Sequence, residues 1–399
     1  MADPRLAGAG AGGGAAYSVP WTLGPCASPP SLLPAGWTAF LFPFSLLPTF
    51  YAFTAIQLVL SAAVQAVFEV LGFNLGYSKF ASAAKWKTAQ VPSLLAFLLF
   101  YLPSALLAAL FLSAALGLSP ARTLLYATHM VPATPIPLPP TTATWTTAPP
   151  AAAADTASGV GGVEGAGIGK LGLEGSMGAW QLVAAATSSE QWRLVLVCAA
   201  CFVHYAKRCL ETLFLHRYSG STALPAVVFV TLGYCDLSYA LLSAQWITAA
   251  ALSSPAAAAA AGSAAAAAAS LNAASAGASA PCSLAPAANL MPLGLLLFLI
   301  GVAGNFYHHW ILSRLRSHGS HEYRVPHGGL FHWVTCPHYL FECINFLGVA
   351  LMSQTAIGVA EFLFTLLYLC GRSIATKRWY RKKMDDYPAS RWAIIPFVL

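Results

Sequence analysis

Long apolar runs, separated by short polar stretches and by low-complexity segments, set the plan of this 399-residue chain. Runs near 46–72, 93–117, 192–215, 224–249 and 288–312 each exceed the roughly 20 mostly apolar residues that a helix needs to cross a bilayer. A further run, from Tyr339 to Cys370, is long enough for a helical hairpin. Only helices or closed barrels satisfy every backbone N–H and C=O group inside lipid. The pattern therefore predicts an all-α polytopic membrane protein with six or seven transmembrane helices.

Three stretches lack large apolar side chains, so little offsets the entropy of ordering them. They are 1–35, the Pro/Thr/Ala/Gly-rich 131–190 and the Ala/Ser-rich 250–287. The expected organisation is a disordered segment 1–35, first transmembrane helices 36–130, a low-complexity insert 131–190, transmembrane helices 191–249, an Ala-rich insert 250–287 and a C-terminal region 288–399. Residues 1–35, with Arg5 as their one basic side chain, do not read as a standard secretory leader.

Composition agrees with the pattern. Hydrophobic residues make up 58% of the chain and charged residues 8%, which excludes a soluble globule of this length. The net charge of +7 is concentrated: Arg314, Arg316 and Arg324 follow one apolar run, and Arg372, Lys377, Arg378, Arg381, Lys382, Lys383 and Arg391 follow the last. By the positive-inside tendency these loops are cytosolic. No basic, aromatic-rich surface suited to nucleic acid is present. The nine cysteines are an odd number set mostly in apolar runs, so no disulfide framework is expected, and Cys198-x-x-Cys201 lies inside a predicted span, away from any βαβ context.

Chemistry first shows in the run 192–215, which is apolar until His204, Tyr205, Lys207, Arg208, Glu211 and Thr212 crowd its end. Ionisable groups at membrane depth are expensive and mark function or a buried pair. On a helical wheel starting at Tyr205, Lys207, Glu211, His204, Arg208 and Thr212 fall between roughly 200° and 340°, while Cys209, Leu213, Ala206, Leu210 and Phe214 fall between roughly 40° and 180°. The first arc is expected to face protein or a cavity and the second lipid. Lys207 and Glu211, four apart, can pair along the helix. On a helix starting near Pro292, Asn305, His309 and Arg316 share one stripe, with Asn and His inward and Arg at the cytosolic end. Such a stripe suits a long anionic ligand, and NADPH, with an amide head, a diphosphate and a 2′-phosphate, has that shape. No G-x-G-x-x-G follows a strand, so the vehicle is not a soluble dinucleotide-binding fold.

The order of motifs GNFYHHWILSRLR (304–316), EYRVPHGGLF (322–331), CPHYLFE (336–342), GRSIATKRWY (371–380) and DYPASRWAIIPF (386–397) resembles the C-terminal half of the steroid 5-alpha-reductase family. The resemblance implies an NADPH pocket lined by Asn305, Arg316, Tyr323, Arg324, His338, Glu342, Arg372 and Tyr380, with Gly328 and Gly329 letting backbone approach the ligand. HYAKRCLETLFLHRYS (204–219) and YSKF (77–80) look like the trans-2-enoyl-CoA reductases of the same family, which implies that Tyr205 polarises the substrate carbonyl and Arg208 lies near the cofactor. The chemistry fits: hydride adds to the β-carbon of a conjugated C=C when charge developing on the carbonyl oxygen is stabilised, and a phenol is a suitable donor.

The implied protein is an NADPH-dependent oxidoreductase of lipid metabolism in the endoplasmic reticulum membrane. A very-long-chain trans-2-enoyl-CoA of fatty acid elongation ranks first as substrate, a 3-oxo-4-ene steroid second and a polyprenol-derived lipid third. Association with other lipid-synthesis enzymes is compatible with that role. Three departures bear on it. Gln90-Val91-Pro92-Ser93 lacks the carboxylate with which steroid reductases help hold the 3-ketone, His309 and His338 stand where relatives commonly have Asp and Asn, and the ubiquitin-like region of some enoyl reductases has no counterpart in 1–35. Competing readings are a membrane methyltransferase of the isoprenylcysteine or phospholipid type, a non-catalytic scaffold, and a di-iron desaturase or hydroxylase built on the seven histidines between 308 and 338. Against the last, repeated H-x-x-H-H boxes are missing, and no metal is expected.

Overall fold

Apolar runs of the predicted length become helices, and the few polar residues inside them become the joints. The computed structural model describes residues 49–73, 89–131, 136, 189–218, 220–253, 286, 288–315 and 323–399. Residues 1–35, nearly all of the two proposed inserts, Tyr77–Phe80 and Arg316 lie outside the described residues. Eight α-helices occur among the described residues: α1 Thr49–Leu71, α2 Ser93–Ala115, α3 Ser119–Ala127, α4 Glu190–Leu210, α5 Leu224–Leu252, α6 Met291–Arg314, α7 Pro337–Ser353 and α8 Ala356–Lys383.

Five of them, α1, α2, α5, α6 and α8, are long and apolar enough to span a membrane. This is an all-α polytopic membrane architecture. α4 and the α7–α8 hairpin stand where spans are expected, but α4 carries Glu190, Arg193, Lys207 and Arg208, and α7 has 17 residues. Phe53, Leu60, Leu232 and Leu299 are exposed, as lipid-facing side chains are. All cysteines of the described residues are free thiols, and Cys198 and Cys201 are buried in the core that joins α2, α4 and α5.

Short antiparallel strands β1 Gln90–Pro92 and β2 Ser221–Ala223 pair Gln90 with Ala223 and lead straight into α2 and α5. Their backbones also complete the helix starts: Ser93 N–H donates to the Gly220 carbonyl (3.1 Å) and Leu224 N–H to that of Ala89 (2.8 Å), satisfying donors that a helix N-terminus leaves open. At the start of α4, Arg193 is buried and donates to the Met352 carbonyl (2.7 Å) and to Gln354 Oε1 (2.9 Å). Gln354, at φ 50°, makes the α7–α8 turn and also accepts from Leu290 N–H (3.0 Å). One polar knot thus ties α4, α6 and the hairpin at this end of the bundle.

α6 and α7 touch backbone to backbone. A Cβ at Gly294 would lie 2.6 Å from the Gly348 carbonyl oxygen, and one at Gly301 would fall on the Asn345 backbone. Small residues permit such approach between membrane helices, and it brings Asn305 of α6 against His338 of α7.

The basic stretch after the last apolar run is not a loop. α8 continues through Arg372 to Lys383, and Arg372 is buried in an ion pair with Glu69 of α1 (2.7 Å). Arg391 is buried too and donates to the Pro326 carbonyl (2.9 Å). The final segment is laced to the loop before α7 through Thr335 N–H to the Trp392 carbonyl (2.7 Å) and Cys336 N–H to that of Ala393 (3.1 Å).

Candidate functional site

The polar end of α4 folds inward, though not as one uniform helix. Past Leu210 the chain makes a π turn over Glu211–Leu215, which rotates the side chains that follow, and such turns are frequent at functional sites. Glu211 and Thr212 stay buried while Leu213 and Phe214 turn outward. His204, Arg208 and Glu211 face inward as predicted, and Leu210 faces outward. Cys209 departs from the expected lipid arc: it is buried against Tyr101 and Phe100 of α2, because α2 covers a strip that the wheel leaves to lipid.

Glu211 is the hub. Its carboxylate meets Lys207 Nζ (2.9 Å), Arg208 Nη1 (2.7 Å) and His309 Nδ1 (3.0 Å). Lys207, pairing along the helix as expected, also donates across to Asn305 Oδ1 (2.5 Å). Asn305 Nδ2 donates in turn to the His338 carbonyl (2.8 Å) and lies 3.4 Å from Glu342 Oε2. Arg208 Nη2 donates to Tyr101 Oη (2.8 Å). Two cations and two carboxylates thus share one hydrogen-bonded network, the form in which charge persists at membrane depth.

Beside this network a cavity opens, and Arg208, Arg217, Arg324 and Arg372 stand in its wall with no carboxylate among the lining residues. Of the expected site residues, Arg208, Tyr323, Arg324, His338, Arg372 and Tyr380 line it. Asn305 and Glu342 lie behind the wall in the hub network, and Arg316 is outside the described residues. Tyr380 is held by a parallel stack on Tyr387 (5.2 Å, 10°), whose hydroxyl is 2.6 Å from Thr335 Oγ1. Gly328 and Gly329 adopt positive φ, 97° and 51°, but a Cβ at Gly329 would meet His308 Nε2 at 2.8 Å, so that glycine serves the seat of the loop on α6.

Tyr205 sits one turn of α4 deeper than Arg208, enclosed by Phe100, Tyr101 and Val227. Its hydroxyl is buried beside that of Ser238, which donates to the Tyr234 carbonyl (2.7 Å) and keeps its oxygen lone pairs open to the Tyr205 O–H. A larger cavity, about 710 Å³, is an apolar groove along α1 away from this chemistry, and Glu69, the partner of Arg372, is its charged residue.

The clustered histidines have separate duties. His308 Nδ1 lies 2.7 Å from the Gly304 carbonyl and its Nε2 accepts from Leu330 N–H (3.1 Å), which is structural bonding. Donor atoms of Glu211, His216 and His309 do come within 4.8 Å of one another. Arg208 Nη1, however, stands 2.7 Å from Glu211 and 2.9 Å from His309, so a metal ion there would meet a guanidinium.

His216, just past the π turn, lines the cavity. Burial, then Arg208 nearby, lowers its pKa from 6.5 to about 4. Between those values the unfolded chain takes up a proton that the folded one refuses, so stability falls as pH drops through that window. His216→Gln should therefore show a smaller loss of melting temperature than the wild type between pH 6.5 and 4.

Sequence reasoning missed Glu69, Tyr101, His216 and Arg217. A single carboxylate in the apolar run of α1 was a signal for Glu69, and His216 and Arg217 stand inside the motif HYAKRCLETLFLHRYS; Tyr101 had none beyond the need of Arg208 for a partner.

Residues 283–399 match the family model described as 3-oxo-5-alpha-steroid 4-dehydrogenase. Curated relatives include a steroid 5-alpha-reductase DET2 of Gossypium hirsutum, 41% identical over 106 residues, or 26% of this chain and 41% of the relative. The 3-oxo-5-alpha-steroid 4-dehydrogenase 1 of Rattus norvegicus is 42% identical over 106 residues (27% and 41%), and the type 2 protein of Homo sapiens 40% over 106 (27% and 42%). The matched stretch spans about two fifths of the length of these relatives.

Proposed function

We propose that this chain, whose residues 283–399 belong to the steroid 5-alpha-reductase family, is an NADPH-dependent membrane reductase that saturates a C=C conjugated to the carbonyl of a lipid. The observation that carries the reading is the arginine-walled cavity, free of carboxylates, joined through Arg208 to the helix that buries Tyr205.

The donor set fits a phosphorylated dinucleotide. Arg324 and Arg372 offer planar forks that match phosphate oxygens, and Tyr323 and Tyr380 offer aromatic faces and hydroxyls. Bound there, reduced nicotinamide supplies the hydride. Arg208, fixed by Glu211 and Tyr101, sets the floor between the cavity and Tyr205. Tyr205 donates to the carbonyl oxygen as negative charge builds on it, and the enclosing side chains exclude water and strengthen that bond. Protonation at the α-carbon completes the saturation.

The names of the relatives, steroid 5-alpha-reductase for one and 3-oxo-5-alpha-steroid 4-dehydrogenase for the others, favour a 3-oxo-4-ene steroid ahead of the trans-2-enoyl thioester that the α4 resemblance ranks first. The thioester is the second reading, favoured by Gln90 where a carboxylate would help hold a steroid ketone. The endoplasmic reticulum membrane and contact with other lipid-synthesis enzymes belong to the same proposal.

Microsomes carrying the full chain, given NADPH and either a 3-oxo-4-ene steroid or a trans-2-enoyl-CoA, should oxidise NADPH in step with saturation of one of them; oxidation with neither would end the proposal. In the same assay Arg324→Ala, an exposed wall residue, should raise the KM for NADPH about tenfold, the worth of one charge-assisted hydrogen bond, and leave the lipid KM unchanged. Equal shifts in both constants would remove Arg324 from the cofactor site.

A further inference from the structure

Among the described residues that line the arginine-walled cavity, Tyr205 is not one, so a reductase built on both needs room between them that the resting fold fills. Two side chains stand at that boundary. Arg208 is one, and Glu211, His309 and Tyr101 fix it from three sides. Phe97, in the second turn of α2, is the other: it lines the cavity and also packs against the cluster that encloses Tyr205.

The Phe97 ring lies between two others. It stacks on Tyr218 (4.6 Å, 29°) and tilts against Phe100 (5.0 Å, 57°), a member of the Tyr205 cluster. Tyr218 lines the cavity too, and its place is kept independently of Phe97: its hydroxyl donates to Thr212 Oγ1 (3.4 Å), and its ring meets that of His216 edge to face (5.8 Å, 62°). The two boundary residues therefore differ in what it takes to move them. Displacing Arg208 would strip the buried Glu211 of a counter-charge. Phe97 is half-buried and has no polar group, so turning it aside breaks only ring and van der Waals contacts, which are individually weak. Of the two, the aromatic ring is the part of the wall that can yield.

We propose that Phe97 is a specificity-determining residue: the conjugated C=C of the lipid takes the place of its ring, between Tyr218 and the Tyr205 cluster, and the bulk at position 97 sets how wide a substrate fits there. The inference rests on the reductase reading and deepens it, because it names the residue that meters the width of the substrate next to the reacting bond. Tyr218, held from its other side, stays as a flat wall, and Arg208 stays as the floor. Selection then acts on substituents beside the C=C, which compete for volume with residue 97, while the remote part of the lipid does not.

The test uses the full chain in microsomes with saturating NADPH. Whichever of the 3-oxo-4-ene steroid and the trans-2-enoyl-CoA the wild type reduces is compared with an analogue that carries an extra methyl group beside the C=C, in wild type, Phe97→Leu and Phe97→Trp. The kcat/KM for the bulkier analogue, relative to its parent, should rise about tenfold in Phe97→Leu and fall about tenfold in Phe97→Trp, the effect of a methyl-sized change in a tight apolar pocket. The KM for NADPH should stay unchanged in both. Opposite signs separate this role from a structural one, since a variant that only loosened the fold would slow both substrates alike. Thermal unfolding in detergent checks the fold, and Phe97→Leu carries the test if the larger tryptophan lowers the melting temperature. An unchanged ratio in Phe97→Leu, or activity lost there on parent and analogue alike in a folded protein, overturns the role of Phe97 and leaves the reductase standing. A wild type that reduces neither steroid nor thioester overturns both.

Discussion

Replacing Tyr205 by Phe should lower kcat about 10²- to 10³-fold, with the KM for NADPH unchanged and the protein still folded. The size follows from what the hydroxyl does in each state. In the resting fold it lies beside the Ser238 hydroxyl, whose own proton is held by the Tyr234 carbonyl, so its loss leaves no buried donor orphaned, and Phe refills the same space against Phe100, Tyr101 and Val227. Its use begins when the carbonyl oxygen gains charge, so it acts on the transition state more than on the bound substrate, and the effect falls on kcat. Single-turnover measurement of NADPH oxidation on the membrane-bound variant checks this. A loss confined to KM would make Tyr205 a wall of the site rather than its acid, and an unchanged rate would move the chemistry elsewhere.

How far this site could be read from the chain depends on what kind of signal each residue carries. Asn305 and His309 were legible because helical periodicity puts them on one stripe, and both are buried facing α4. Tyr205 and Arg208 stood out as polar groups in an apolar run, and the motif order of residues 304–397 supplied their company. The positions of the long helices follow from hydropathy and length, so they were legible as well. The π turn at Glu211–Leu215 was not, since it is set by packing against α2 and α6 rather than by local propensity. Tyr101 gave no warning inside LLFYLPSALL, because a membrane tyrosine is ordinarily an interfacial anchor. Glu69 could have been found. It is a lone carboxylate in an apolar run, and the cost of such a charge demands a partner elsewhere in the chain. For Glu69 that partner is Arg372, 303 residues away, a separation over which pattern carries no information.

The second large effect is on folding. Glu211→Gln should destabilise the protein by about 3–5 kcal/mol, because it leaves buried cations without their counter-charge. The carboxylate neutralises Lys207 and Arg208 and receives His309 Nδ1 at once, so its removal is felt on α4 and α6 together and, through Lys207 and Asn305, at the His338 carbonyl of α7. The ion pair itself need not be net stabilising; what destabilises is breaking it on one side. The double variant Lys207→Met with Glu211→Gln should therefore recover part of the loss, since it removes a cation along with the anion. Unfolding of the detergent-solubilised protein, followed by melting temperature for the wild type, Glu211→Gln, Lys207→Met and the double variant, measures the coupling. Additive losses would mean that Lys207 and Glu211 are screened from each other, and the hub would then be a set of independent contacts rather than the joint that holds α4 to α6.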